Sequence, residues 1–208
     1  FHQYGTEYEE AGQIVEEIGR LAKEGVEYKN IAILYRTNAQ SRIFEEKFMI
    51  KNIPYRIVGG TNFYQRKEVK DVISYLKAVD NGLDDLAVKR IINVPRRGIG
   101  ATTIDKVQTY AIEQNISFLD ACFDARQIET LANAKKKIEK FAGIISDFRE
   151  QAQKGSLEDL FHYIVDETEY VKGLEAEGTE EALARIENIN ELLNKIVAYE
   201  ETAEEPTL

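Results

Sequence analysis

Tyr55-Arg56-Ile57-Val58-Gly59-Gly60, then Thr61-Asn62-Phe63-Tyr64-Gln65, then Arg66-Lys67-Glu68-Val69-Lys70-Asp71-Val72-Ile73-Ser74-Tyr75-Leu76: along this stretch the 208-residue chain changes its hydrophobic period. Tyr55 to Val58 reads as a short strand closed by a glycine pair. From Arg66 onward every periodic segment is helical. The helices are Lys67 to Val79, Asp84 to Asn93, Thr102 to Gln114, about Ile128 to Gln151, Leu157 to Val171 and Thr179 to Tyr199. Asp84 and Ser156 are N-cap residues, the latter with Asp159 three positions on. Upstream, Ala11, Ile14, Val15, Ile18, Leu21 and Ala22 define an amphipathic helix over Glu7 to Lys23, stopped by Gly25. Ile31 to Tyr35 then reads as a strand and Ser41 to Ile50 as a helix. Strand, helix, strand implies a parallel βαβ unit with short apolar strands covered by helices on both faces. The expected fold is therefore an α/β fragment with a partial parallel sheet over residues 1–64. A mostly α-helical domain follows over 65–208. There is no internal repeat and no low-complexity segment, only glutamate enrichment at the end.

With 43% hydrophobic and 31% charged residues, the chain has the composition of a globular protein and not of a disordered one. No run of about 18 apolar residues is present to span a bilayer, and residues Phe1 to Glu10 lack the regions of a signal peptide. A cytoplasmic protein that does not engage membranes is expected. Met49 is the only methionine, so both ends are expected to lie inside a longer protein. The single cysteine, Cys122, excludes an internal disulfide and sits in the apolar run Phe118 to Phe123, where a buried inert thiol is expected. A net charge of −10 argues against a general nucleic-acid binder. From Tyr28 to Tyr110, however, fifteen Lys and Arg face eight Asp and Glu, a local +7 that leaves −17 for the rest. Phosphate contacts depend on the contacting surface and not on total charge, so a basic middle between acidic ends is compatible with them.

The chemical motifs begin with what is missing. The sequence has no G-x-x-x-x-G-K-[ST] phosphate loop, no H-E-x-x-H and no C-x-x-C pair. His2 and His162 are isolated, the latter among Phe161, Tyr163 and Ile164 on a helix, as a packed structural histidine would be. No catalytic residue is expected. Two stretches carry positive signals. Tyr35-Arg36-Thr37-Asn38-Ala39-Gln40-Ser41-Arg42 lies at the end of an expected parallel strand, the edge where open α/β sheets bind ligands. Its Arg, Asn and Gln side chains offer donors to phosphates or bases. Alternatively, Thr37 or Asn38 caps the next helix and Arg42 pairs with Glu45 or Glu46.

The second stretch is Pro95-Arg96-Arg97-Gly98-Ile99-Gly100-Ala101-Thr102-Thr103, between two expected helices. Helix, tight Gly-hydrophobic-Gly turn, helix is the layout of a helix-hairpin-helix DNA-binding element. Gly98 and Gly100 let backbone approach a phosphate, and the free amides opening the second helix, around Thr102 and Thr103, complement its charge. Ile99 anchors the hairpin in the core. Arg96, Arg97 and Lys106 add charge for contacts that track the DNA backbone without reading sequence. The competing reading is an ordinary helix connection whose glycines only permit a sharp turn. A third basic feature, Lys135-Lys136-Lys137 with Lys140, reads mainly as a solvated helix face, with contact to DNA as the alternative.

The sequence resembles superfamily 1 DNA helicases of the PcrA/UvrD/Rep family, its PcrA branch most. Four segments carry the resemblance in order: Ile31-Ala32-Ile33-Leu34-Tyr35-Arg36-Thr37-Asn38-Ala39-Gln40-Ser41-Arg42, Ile53-Pro54-Tyr55-Arg56-Ile57-Val58-Gly59-Gly60, Phe63-Tyr64-Gln65-Arg66-Lys67-Glu68-Val69-Lys70-Asp71, and Arg90-Ile91-Ile92-Asn93-Val94-Pro95-Arg96-Arg97-Gly98-Ile99-Gly100. Glu10-Ala11 and Arg185 to Leu192 add to it, while residues 115–178 match loosely. The resemblance implies that residues 1–64 are part of a second RecA-like motor domain (2A) and 65–208 an incomplete helical accessory domain (2B). It further implies that Arg36 and Asn38 touch single-stranded DNA and that Arg96, Arg97, Gly98, Ile99, Gly100, Thr102 and Thr103 hold duplex DNA. Asp84-Asp85 matches an acidic pair near that loop, placed to tune domain orientation. Gln65 stands where relatives often carry an acid. The parent would use ATP and Mg²⁺ and contain further helicase domains; the fragment would hold no cofactor and be inactive alone. The rival readings are a stand-alone helical DNA-binding module and a helical protein-interaction module. An incomplete βαβ unit argues against the first of these, because two strands make a poor independent sheet.

Overall fold

A computed structural model describes residues 2–35, 40–58, 62–204 and 206–208. The chain forms two compact units, residues 1–66 and 67–208.

In the first unit, α1 (Glu7–Lys23) starts at Thr6, whose hydroxyl accepts the Glu9 amide at 3.1 Å. Glu7, Glu9 and Glu10 place negative charge at the positive end of the helix dipole. Ala11, Val15 and Ile18 form the buried face of α1. Val15 and Ile18 pack with Phe48 of α2 (Ser41–Ile50) and with Ile53, flanked by Ile31, Ile33, Phe44 and Tyr55. The buried carboxylate of Glu45 accepts Ser41 Oγ at 3.1 Å and the Phe63 amide at 3.0 Å, which ties the 62–65 turn to α2. Asn62 completes that turn by accepting the Tyr64 amide and donating to the Tyr55 hydroxyl at 2.7 Å.

The expected partial parallel RecA-like sheet is absent: among the described residues there is no strand, so this unit is not an α/β fragment. The local signal was real. Burial alternates along 31–35 and 53–58 with the period of two that extended chain imposes, and Ile31 has φ −111° and ψ 133°. A strand, however, exists only when its backbone groups pair with a neighbour, and two short runs supply too little pairing to hold each other. Only one face of each run is covered, contrary to the two-sided burial expected. Leu34 is 96% exposed and Val58 78% exposed.

The second unit is all helical among its described residues. It contains α3 (Lys67–Asp80), α4 (Asp85–Ile91), α5 (Ala101–Gln114), α6 (Phe118–Phe123), α7 (Lys135–Ala152), α8 (Leu157–Glu167), α9 (Tyr170–Glu175) and α10 (Glu180–Thr202). α3 is the spine and packs against α4, α7, α8 and α10. Its Tyr75, Ala78 and Val79 join Val88, Ile91, Ile99, Val107, Phe118, Phe141, Ile145 and Phe148 in one core. Two expected helices are divided differently. The segment from Ile128 contains a short 3₁₀ stretch (Glu129–Ala134) with Ala132 at φ 47° before α7 begins. The segment from Leu157 breaks at Glu169, φ 52°, between α8 and α9. That break turns Tyr170 so that its hydroxyl donates to Asp71 at 2.7 Å, and it buries Leu174.

Polar ties cross the helices of this unit. Buried Asp71 also accepts Arg90 Nε at 2.6 Å, and buried Glu68 accepts Asn188 Nδ2 at 2.5 Å. At the start of α8, Ser156 and Asp159 form a capping box, and the Glu200 carboxylate of α10 accepts the Leu157 and Glu158 amides at 2.6 and 3.0 Å. Asp84 caps α4 through the Ala87 amide and pairs with Lys77 at 2.8 Å, while Asp85 accepts the Phe118 amide at 2.9 Å. No helix among the described residues is long and apolar enough to cross a membrane.

Candidate nucleic-acid interface

The connection between α4 and α5 is a tight hairpin held from inside. Asn93 follows α4, and its side-chain oxygen accepts two amides, Arg97 at 2.8 Å and Ile99 at 3.1 Å. One side chain thus closes the turn by the route typical of asparagine in loops. Gly98 has φ +69°, a left-handed conformation that glycine adopts at no steric cost. Ile99, 1% exposed, anchors the hairpin in the core. Gly100 is the N-cap of α5 without a side-chain bond, and Gly100, Ala101 and Thr102 are exposed at the helix's positive end.

The two arginines do different things. Arg96 is exposed. Arg97 is half-buried and turned into the fold: Nη1 donates to Ile91 O at 2.9 Å and Val94 O at 3.0 Å, and Nη2 donates to the Tyr75 hydroxyl at 2.6 Å. The Tyr75 hydroxyl in turn donates to Val94 O at 2.5 Å, and the guanidinium lies over the rings of Tyr75 and Phe141. Burial pushes the Tyr75 phenol above its ordinary pKa, and the Arg97 charge pulls the other way. Arg97 therefore ties together the carbonyls at and just beyond the end of α4, and its five-donor fork suits that task.

Of the residues singled out in sequence, Arg96, Gly98, Gly100 and Thr102 stand exposed on one hairpin, Thr103 is half-buried, Ile99 is buried and Arg97 points inward. Lys106 Nζ donates to Thr130 O at 2.7 Å. Sequence reasoning missed Asn93 and Tyr75. An asparagine just past a helix and ahead of a proline was the available signal for the first; nothing local marks the second. Arg36 and Asn38 lie outside the described residues, as does the Gly59-Gly60 pair. Beside them in sequence, Tyr35 and Gln40 line a cavity of about 190 Å³ whose walls include Glu10, Ile14 and Phe44. Among the described residues no group of three His, Cys, Asp or Glu is arranged to hold a metal ion. Cys122 is buried, and burial raises its thiol pKa far above the ordinary value.

The chain is 39% identical over 201 residues to the ATP-dependent DNA helicase PcrA of Staphylococcus aureus strains Mu50 and NCTC 8325. It is equally similar to the protein of that name from Staphylococcus epidermidis strain RP62A. The match covers 97% of this chain and 28% of each relative, so the chain spans just over a quarter of their length. The profile of the UvrD-like helicase C-terminal domain matches residues 1–208. Matched along its whole length, with a glycine hairpin between helices and an all-helical second unit, the chain belongs to the UvrD-like helicase C-terminal domain family.

Proposed function

We propose that this chain is a DNA-holding part of an ATP-dependent DNA helicase that unwinds duplexes in repair or replication. In this reading residues 1–64 belong to the second motor domain, where Arg36 and Asn38 meet single-stranded DNA. Residues 65–208 belong to the helical accessory domain, whose hairpin holds the duplex. ATP and Mg²⁺ are served by other parts of the parent, since the sequence has no phosphate loop.

The observation that carries this reading is the hairpin. Gly98, Gly100, Ala101 and Thr102 present exposed backbone at an uncapped helix start, with the Arg96 charge beside it. Such a surface suits phosphate oxygens and discriminates little between sequences. Gly100 gives a clean test, because a Cβ there meets nothing within 4 Å and its φ of −93° is ordinary. Gly100→Val is expected to leave the fold intact yet place bulk at the outer surface of the hairpin. Affinity for a short blunt DNA duplex, read by fluorescence anisotropy at low salt, should fall about tenfold or more, the cost of one charge-assisted contact. Unchanged duplex affinity would mean that the hairpin is only a turn.

A further inference from the structure

The lysine cluster of α7 falls beside the hairpin. Lys137 Nζ donates to Gly98 O at 2.9 Å, so the first turn of α7 lies against the hairpin tip from 39 residues away in sequence. Lys135 is drawn aside to Arg126 O at 3.0 Å. Lys136, Lys137 and Lys140 are exposed, as is Arg96. Among the described residues none of Arg96, Lys136 and Lys140 has an ion pair, whereas Glu139, the acid of that helix stretch, is held by Arg126 Nε at 2.6 Å. Lys136 and Lys140, four residues apart, share one helix face.

Stability does not ask for these charges. α1, α8 and α10 open with acidic residues behind a Thr or Ser cap, but α7 opens with three lysines, no acid and no side-chain cap. Cations in that position oppose the helix dipole. Three cations without an ion pair among the described residues, beside Lys137 on the hairpin carbonyl, form a surface for a polyanion read by charge and not by sequence.

We propose that Arg96, Lys136, Lys137 and Lys140 form one continuous track for the phosphates of duplex DNA, extending the grip of the hairpin along the first two turns of α7. The track rests on the duplex reading of the hairpin and lengthens it. Each phosphate neutralised contributes about −0.9 to the slope of log affinity against log salt.

The test is blunt-duplex affinity of the whole chain across a salt series, by anisotropy, for wild type, for Lys136→Ala with Lys140→Ala, and for Lys136→Arg with Lys140→Arg. Lys137 stays in place so that its bond to Gly98 survives. The alanine pair should melt like wild type, bind more weakly and flatten the salt slope by about 1.8. The arginine pair should restore the slope. A wild-type slope in the alanine pair, with Gly100→Val still weakening binding, overturns the track and leaves the hairpin reading standing. No duplex binding by wild type at low salt overturns both.

Discussion

Arg96 and Arg97 are neighbours with the same formal charge, and replacing each by alanine should give opposite results. Arg97 makes three short hydrogen bonds, to Ile91 O, Val94 O and the Tyr75 hydroxyl, and two longer ones to Ile92 O and Pro95 O at 3.4 and 3.3 Å. With about 1 kcal/mol for each short bond of a half-exposed charged donor, Arg97→Ala should cost about 3 kcal/mol. For a chain of this size that lowers Tm by roughly 6–12 °C. Arg97→Lys should recover little, because a single ammonium cannot span the carbonyls that the planar fork bridges. Duplex affinity should drop through the damaged hairpin with the salt slope nearly unchanged. Arg96→Ala should leave Tm within the range of surface substitutions, about 0.5 kcal/mol, and should flatten the slope by about 0.9. Circular-dichroism melts with a salt series on the same preparations decide the matter. A variant lacking Arg97 that melts like wild type while its slope falls by a full phosphate would refute the inward assignment.

Two further outcomes follow from groups already described. Burial raises the pKa of Cys122, Tyr75 and Tyr170, so in alkali the unfolded chain loses those protons first. Their stabilising effect is complete below the ordinary values and should be lost as pH rises past about 8.5 for the thiol and about 10 for the phenols. Urea midpoints measured from neutral to alkaline pH should decline in that order, and Cys122→Ala should remove the first part of the decline; a flat profile would contradict the burial. Gly82 has φ +67°, and a Cβ there would lie 2.5 Å from both Arg149 Nη2 and Leu119 Cδ2, while Arg149 donates to Ala78 O and Val79 O. Gly82→Ala should therefore cost about 2–3 kcal/mol, whereas Gly178→Ala, equally left-handed but in open space, should cost only about 1–2 kcal/mol. Equal losses would show that the clash at Gly82 is relieved.

The helices with caps and a clear apolar face were legible in the sequence. α1 and α2 run over the residues their periodicity marks, and Asp84 and Ser156 are caps in the structure. The sheet was misread because a short apolar run is consistent with extended backbone, and nothing within a single segment states whether a partner strand is present. α6 was missed although Ser117 and Asp120 form its cap, because six residues are too few for a period to show. The break at Glu169 has no glycine or proline to announce it. It follows from the tertiary placement of Tyr170 and Leu174, which local propensity does not encode. At the hairpin, the glycines and Ile99 were readable from spacing. The inward turn of Arg97 depends on Tyr75, a residue 22 positions away, and the approach of Lys137 depends on packing between α7 and the hairpin.

The hairpin also has a thermodynamic consequence. Asn93 closes it from within, Arg97 ties its carbonyls to α3, and Lys137 braces its tip. Its shape is settled before any partner arrives, so docking a phosphate backbone onto it orders almost no chain and buries little apolar surface. Segments that fold as they bind show large negative heat-capacity changes. An element fixed in this way should associate with a heat-capacity change near zero, with a binding enthalpy nearly constant over temperature and an affinity governed by charge and ionic strength.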